Sequence, residues 1–245
     1  DLAAKGTTVC INVTDTPDVE QVIFGKHGIV EGNPGDTAGL TVIDHSTISP
    51  EATRRFADRL AEYEIDMLDA PVSGGDTGAQ QGTLSIMVGG KEEVFQRARP
   101  IFDVVGKSIT YVGDHGVGQA CKACNQILCA LNLLATCEAM ALANSEGLDL
   151  EKMIEVTSAG AGGSWQLANL GPKIAADDMA PGFMIDLINK DLRIVRDAAT
   201  NGRLPLLGAN LAADLFVAAG AEGHGQSGTQ ALCQVIERLG GFAYG

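Results

Sequence analysis

GVGQACKACNQ, residues 116–126, is the stretch that decides the fold, because a flexible glycine entry leads there into a long helix. Before it, strand and helix signals alternate along the chain. After it, helical periodicity dominates to the C-terminus, broken only by glycine-rich turns. We therefore place a domain boundary between Gly113 and Gly116, which predicts domains over residues 1–113 and 114–245.

One face of this predicted helix is chemically unusual. Lys122, Asn125 and Gln126 are spaced i, i+3 and i+4, so they share a face whose other residues are apolar or small. Burying a lone lysine disfavours its charged form, and an amine shifted in this way is a candidate general acid/base. The alternative is a surface lysine whose stem lies along the start of the helix.

The first half of the chain predicts a largely parallel, doubly wound sheet, because short strands alternate with helices. The predicted strands cover residues 7–13, 40–43, 66–69, 84–88 and 108–112, and the predicted helices cover residues 19–24, 51–63 and 91–102. The second half is predicted to be all-helical, with an unusually long first helix over residues 119–146.

Net charge and hydropathy narrow the class of protein. The formal net charge of −14 disfavours a nucleic-acid partner and favours a soluble protein. The apolar stretch from Ile127 to Leu142 carries Asn132, Thr136 and Glu138, which suits a buried helix better than a membrane span. We therefore predict no nucleic-acid partner and no membrane association.

The cysteines and histidines give no metal-binding pattern. Cys121 and Cys124 have the spacing of a redox pair, but they lie inside a helical pattern rather than after a strand. We interpret all six cysteines as reduced thiols of a cytoplasmic protein, most of them core residues. The four histidines form no ligand set, so we predict no metal site.

One expected element is missing from the start of the chain. A doubly wound nucleotide-binding domain opens with a strand, a GxGxxG turn and a helix, and none of these precedes Thr7. We expect the chain to begin partway through such a domain.

Several motifs together resemble the β-hydroxyacid dehydrogenases, a family that includes 3-hydroxyisobutyrate dehydrogenase and tartronate semialdehyde reductase and is related to 6-phosphogluconate dehydrogenase. The resemblance runs from about Thr8 to Gly241 and rests on residues 44–50, 69–75, 82–90, 116–126, 181–183 and 190–192. It implies an α/β Rossmann-like parallel sheet, here lacking its first strand and glycine loop, followed by an all-α C-terminal domain with a long first helix.

The resemblance also implies roles for the residues around the substrate. Lys122 would be the general acid/base, and Asn125 would orient the reacting oxygen. The loop Ser73-Gly74-Gly75 would hold the substrate carboxylate, and Gln126 would also bind the substrate. Taken alone, a serine–glycine–glycine loop is also typical of a flexible turn, and Asn125 and Gln126 could be ordinary helix-packing residues.

A second set of residues would contact NAD or NADP by the same resemblance: Val13, Thr14, Thr47, Phe183 and Lys190. Three of these have other readings. Thr47 could cap the helix that begins at Pro50, although Ser49 fits that role better. Phe183 could be a core residue, and Lys190 could be a solvated lysine paired with an acid.

The sequence as a whole predicts an oxidoreductase that interconverts a small β-hydroxy carboxylate and its semialdehyde by hydride transfer with NAD or NADP. The resemblance implies a homodimer or homotetramer. One alternative is a non-catalytic helical oligomerisation module, or an inactive fragment of such an enzyme. Another is a decarboxylating dehydrogenase for a sugar phosphate acid, which the acidic charge balance and the lack of basic residues near Ser73 disfavour.

Overall fold

A computed structural model describes residues 6–32 and 39–244 of the chain. The chain divides into two compact units, Asp1–Cys124 and Asn125–Gly245. This division lies inside a long helix, whereas the sequence places the domain boundary just before that helix. The predicted boundary between Gly113 and Gly116 stays a prediction.

The first unit contains a six-stranded sheet. Its strands are β1 (Thr8–Ile11), β2 (Thr41–Asp44), β3 (Asp66–Asp69), β4 (Val72–Ser73), β5 (Leu84–Gly90) and β6 (Gly106–Gly113). β1, β2 and β3 pair in parallel, and so do β5 and β6. β5 runs antiparallel to β3 and β4, which the sequence did not predict. The reason is that β4 nearly continues β3, so the next strand returns against both.

Helices cover both faces of this sheet, which confirms the doubly wound, Rossmann-like fold. They are α1 (Thr16–Phe24), α2 (Pro50–Ala61), α3 (Gly75–Gln81) and α4 (Glu92–Val105). Successive residues of a strand point to opposite faces. Met67 therefore packs in the cluster that includes residues of α1 and α2, and Leu68 packs in the cluster that includes residues of α4.

Polar caps fix where the first two helices begin. The Asp15 carboxylate accepts from the backbone at the start of α1, in a capping box with Asp18. Ser49 Oγ accepts from Ala52 N at 3.3 Å and caps α2. This confirms that Ser49, and not Thr47, is the cap before Pro50.

The second unit is helical, as predicted. Its helices are the greater part of α5 (Val117–Ser145), then α6 (Leu150–Ser158), α7 (Trp165–Ala175), α8 (Ile185–Asn201), α9 (Leu207–Ala219) and α10 (Leu232–Gly240). A π-helical turn at Gly220–His224 and a 3₁₀ turn at Thr229–Ala231 lie between α9 and α10. Leu133, Met140, Ile185, Phe216 and Val235 form part of the single core that these helices share.

α5 is long and apolar enough to cross a membrane by length and composition alone. The core helix of a soluble protein passes the same test, and Leu133, Cys137 and Met140 of α5 are buried in the core of the second unit. None of the six cysteines, all within the described residues, forms a disulfide, and Cys137 and Cys233 are the two that are buried. The prediction that most of the cysteines are core residues is therefore wrong.

Candidate active site

The end of β3 holds the beginning of α5. Asp69, the last residue of β3, is fully buried, and its carboxylate accepts from Gly116 N at 2.9 Å and from Gln119 N at 3.0 Å. The first backbone N–H groups of a helix have no partner within the helix. Asp69 therefore caps α5 from 47 residues away in the sequence.

Burial raises the pKa of the Asp69 carboxyl, because removal from water penalises its charged form. The amides of Gly116 and Gln119 and the nearby His115 act in the opposite direction, and burial outweighs them.

The two glycines of this entry have steric roles. Gly116 has φ +80, a left-handed conformation that glycine adopts without strain. A Cβ on Gly118 would lie 2.6 Å from Met87 O, 2.7 Å from Asp69 O and 2.8 Å from Asp69 Oδ2. Close approach of α5 to β3 and β5 therefore requires Gly118, a packing role that the sequence did not predict.

Gln119 connects α5 to the loop that follows β2. Its Nε2 donates to Ser46 O at 2.7 Å, and its Oε1 accepts from Ile48 N at 3.1 Å. Ser46 Oγ in turn accepts from Val13 N at 2.9 Å, beyond the end of β1. A continuous set of hydrogen bonds thus links the ends of β1, β2 and β3 to the first turn of α5.

Lys122 lies one turn beyond Gln119 and is buried, with 7% of its surface exposed. The reading of Lys122 as a surface lysine is therefore wrong. Since α5 is continuous from Val117 to Ser145, Lys122, Asn125 and Gln126 lie on one face of it. A buried amine and two side-chain amides therefore share one helix face, which suits acid/base chemistry on a carbonyl or hydroxyl oxygen.

Within the second unit, a buried polar chain begins at Asn125. Asn125 Nδ2 donates to Gln126 Oε1 at 2.8 Å, and Gln126 Nε2 donates to Asp191 Oδ2 at 2.6 Å. Lys190 Nζ lies 2.7 Å from Asp191 Oδ1, which makes an ion pair, although no aligned hydrogen bond reaches that oxygen. Lys190 is paired with an acid, as one reading expected, but only 14% of its side chain is exposed, so it is not solvated.

The predicted carboxylate loop lies where β4 passes into α3. Ser73 is the last residue of β4 and pairs with Ser85 of β5. Gly74 and Gly75 are exposed and have φ +140 and +61, so both positions favour glycine. The backbone of this turn is exposed at both glycines.

The predicted cofactor residues of the first unit follow the carboxyl ends of two parallel strands. Val13 and Thr14 come after β1, and Thr47 comes after β2. Ligands of open α/β sheets bind outside these strand ends. Thr14 is exposed, and Val13 and Thr47 are half-buried. In the second unit, Phe183 is half-buried and packs against the hydrophobic core.

Three residues of this arrangement were missed in the sequence: Asp69, Gln119 and Asp191. Each stands inside a motif that the sequence singled out, and Asp191 directly follows Lys190, which was assigned a role. Their partners lie between 47 and 73 positions away, so no local pattern reveals the hydrogen bonds. Among residues 6–32 and 39–244, no group of three or more His, Cys, Asp or Glu residues could hold a metal ion.

Two family models match almost the whole chain. Residues 1–113 match the NAD-binding domain of 6-phosphogluconate dehydrogenase. Residues 116–236 match the NAD-binding domain of NADP-dependent 3-hydroxyisobutyrate dehydrogenase. NAD(P)-binding sequences therefore cover both halves of the chain.

Individual proteins give the same result. The 2-hydroxy-3-oxopropionate reductase of Escherichia coli is 42% identical over 231 residues, which cover 94% of this chain and 78% of that protein. The 2-(hydroxymethyl)glutarate dehydrogenase of Eubacterium barkeri is 36% identical and covers 99% of this chain and 84% of its own length. The crystal structure of 3-hydroxyisobutyrate dehydrogenase from Salmonella typhimurium superposes with a TM-score of 0.85 at 33% identity, covering 95% of this chain and 80% of that one.

Proposed function

This chain belongs to the β-hydroxyacid dehydrogenase family of NAD(P)-dependent oxidoreductases, and we propose that it interconverts a small β-hydroxy carboxylate and its semialdehyde. The observation that carries the proposal is the buried amine of Lys122 on the same face of α5 as Asn125 and Gln126. The names of the E. coli and E. barkeri relatives, both acting on small hydroxy acids, support the substrate class.

Lys122 moves the proton in this proposal. In the reductive direction its ammonium gives a proton to the carbonyl oxygen, and in the oxidative direction its neutral amine takes the proton of the hydroxyl group. When bound, the nicotinamide supplies or accepts the hydride. Only 7% of Lys122 is exposed, so bulk water has little access to its amine.

The neighbouring residues bind and orient the substrate. Asn125 orients the reacting oxygen from the next turn of α5, and Gln126 holds the amide of Asn125 in place. Ser73, Gly74 and Gly75 bind the carboxylate, which the exposed glycine backbone of this turn supports.

Val13, Thr14 and Thr47 would contact the NAD or NADP at the carboxyl edge of the parallel strands. We also assign a cofactor contact to Phe183 and Lys190 of the second unit, on the resemblance of their motifs. Phe183 also packs against the hydrophobic core, which supports its interpretation as a core residue equally well.

We further propose that the protein is cytoplasmic and forms a homodimer or homotetramer. Leu204, Leu207 and Leu211 of the second unit are 59%, 81% and 58% exposed. Clustered exposed apolar side chains at the start of a helix support association through this unit.

The test is the turnover of the Lys122→Ala variant. Turnover is measured as the oxidation of NADPH or NADH in the presence of 2-hydroxy-3-oxopropionate or a related semialdehyde. We expect turnover to fall by roughly 10²–10⁴-fold, the usual effect of losing a general acid/base. Lys152→Ala, at an exposed lysine of α6, is the matched control and should leave turnover unchanged. Equal turnover by the two variants would exclude the proposed role of Lys122.

A further inference from the structure

Both polar atoms of the Gln119 side chain are hydrogen-bonded, and the residue is 1% exposed. Its amide donates to Ser46 O and accepts from Ile48 N, so the two bonds fix both the position and the orientation of the group. The donor and acceptor belong to residues on either side of Thr47. The loop that carries Thr47 is therefore held to α5 through a single side chain.

The backbone of Gln119 is held as firmly as its side chain. Its N–H donates to Asp69 Oδ2, and the neighbouring Gly118 is packed too closely against β3 and β5 to allow movement toward the sheet. Ser46 is fixed from the other side, because its N–H donates to Asp44 Oδ1 at 2.9 Å and its Oγ accepts from Val13 N. Gln119 thus joins two rigid parts of the first unit.

We propose that Gln119 is a positioning residue, which sets the placement of Lys122 on α5 relative to the Thr47 loop. This inference rests on the proposed function, since Thr47 is the assigned cofactor contact and Lys122 is the assigned acid/base. Gln119 touches neither substrate nor cofactor in this role. Gln119 affects the rate indirectly, because displacement of a reacting group by about 1 Å can lower the reaction rate about 100-fold.

An isosteric apolar variant removes both bonds. Gln119→Met keeps the length and volume of the side chain but leaves Ser46 O and Ile48 N without their partner. We expect the kcat of Gln119→Met to fall roughly 10–100-fold, with the KM for the semialdehyde within about two-fold of wild type because Ser73 to Gly75 are untouched. The amide hydrogen of Ile48 should exchange faster with solvent, since its acceptor is gone.

A second variant, Gln119→Glu, gives a pH dependence of kcat that a purely structural role of Gln119 would not produce. In Gln119→Glu, the protonated carboxyl can donate to Ser46 O and accept from Ile48 N, as the amide does, whereas the carboxylate can only accept. Burial, and the carboxylates of Asp69 and Asp44 that bind the backbone of Gln119 and Ser46, favour the protonated form. Lys122 in its charged form, one turn along α5, and Arg54, beside Gly116, act in the opposite direction. His45 and His115 are further titratable groups of this region. The kcat of Gln119→Glu relative to wild type should therefore rise as the pH falls.

The control is Gln96→Met, at an exposed glutamine of α4. The inference is overturned if wild type is active and Gln119→Met has the kcat and Ile48 exchange rate of Gln96→Met. It is also overturned if the ratio of the kcat of Gln119→Glu to the kcat of wild type does not change with pH. If Gln119→Met fails to fold, this pH dependence alone tests the inference. Absence of turnover in wild type would instead overturn the proposed function.

Discussion

Gly118→Ala tests whether close packing of α5 against the sheet holds the candidate site together. The new Cβ would lie within 2.8 Å of Met87 O, Asp69 O and Asp69 Oδ2. Two of these oxygens belong to the backbone of β3 and β5, so they cannot move aside as the end of a flexible side chain can. The substitution therefore forces α5 away from the strands.

The size of the effect follows from two opposing contributions. Overpacking of a tight site costs typically 1–3 kcal/mol, and three contacts this short place Gly118→Ala near the upper end. Alanine in place of glycine inside a helix recovers about 1 kcal/mol. We expect a net loss of about 2 kcal/mol in the free energy of unfolding, or a fall in Tm of about 4–8 °C for a chain of this size.

Calorimetric unfolding of the purified protein measures this difference. Gly162→Ala is the control, because Gly162 is exposed and a Cβ there would meet nothing within 4 Å. That variant should stay within about 0.5 kcal/mol of wild type. If Gly118→Ala is as stable as Gly162→Ala, the argument that close packing fixes the start of α5 is refuted.

Two further predictions concern buried carboxylates. The pKa of Asp69 is raised above 3.8 in the folded state, so the folded state binds more protons than the unfolded state just above pH 3.8. The unfolding free energy of wild type should accordingly fall, relative to that of Asp69→Asn, as the pH rises from 3.8 through the folded pKa, and a pH-independent difference would contradict this. Asp191→Ala removes the buried acceptor of Gln126 Nε2 and the ion pair with Lys190, and should cost about 3 kcal/mol in urea unfolding. Asp197→Ala, which breaks only an exposed pair with Arg193, should cost less than about 1 kcal/mol, and equal losses in the two variants would count against a buried network.

Much of the fold could be predicted because its signals are local. Alternation of strands and helices gave the doubly wound sheet, and Ser49 before Pro50 gave the start of α2. The direction of β5 could not be predicted in this way. It depends on β4, a two-residue strand that pairs with β5 and has too few residues to show periodicity.

In the candidate site, too, only the features that depend on local spacing could be predicted. Lys122, Asn125 and Gln126 could be placed on one face from their spacing, since an α-helix repeats every 3.6 residues. The contacts of Gly118, Gln119 and Asp69 could not be predicted, because their partners lie on other strands, helices and loops. A glycine chosen for close approach and a glycine chosen for flexibility look the same in a sequence.

The sequence by itself determined the family, the order of the elements and the lysine that is assigned the chemistry, because these depend on motifs and on periods of a few residues. Only the tertiary structure decided that Asp69 caps α5, that Gln119 fixes the Thr47 loop and that Lys122 is buried. Burial and hydrogen-bond partners depend on which distant segments meet in space. Packing brings those segments together, and no local pattern records which ones they are.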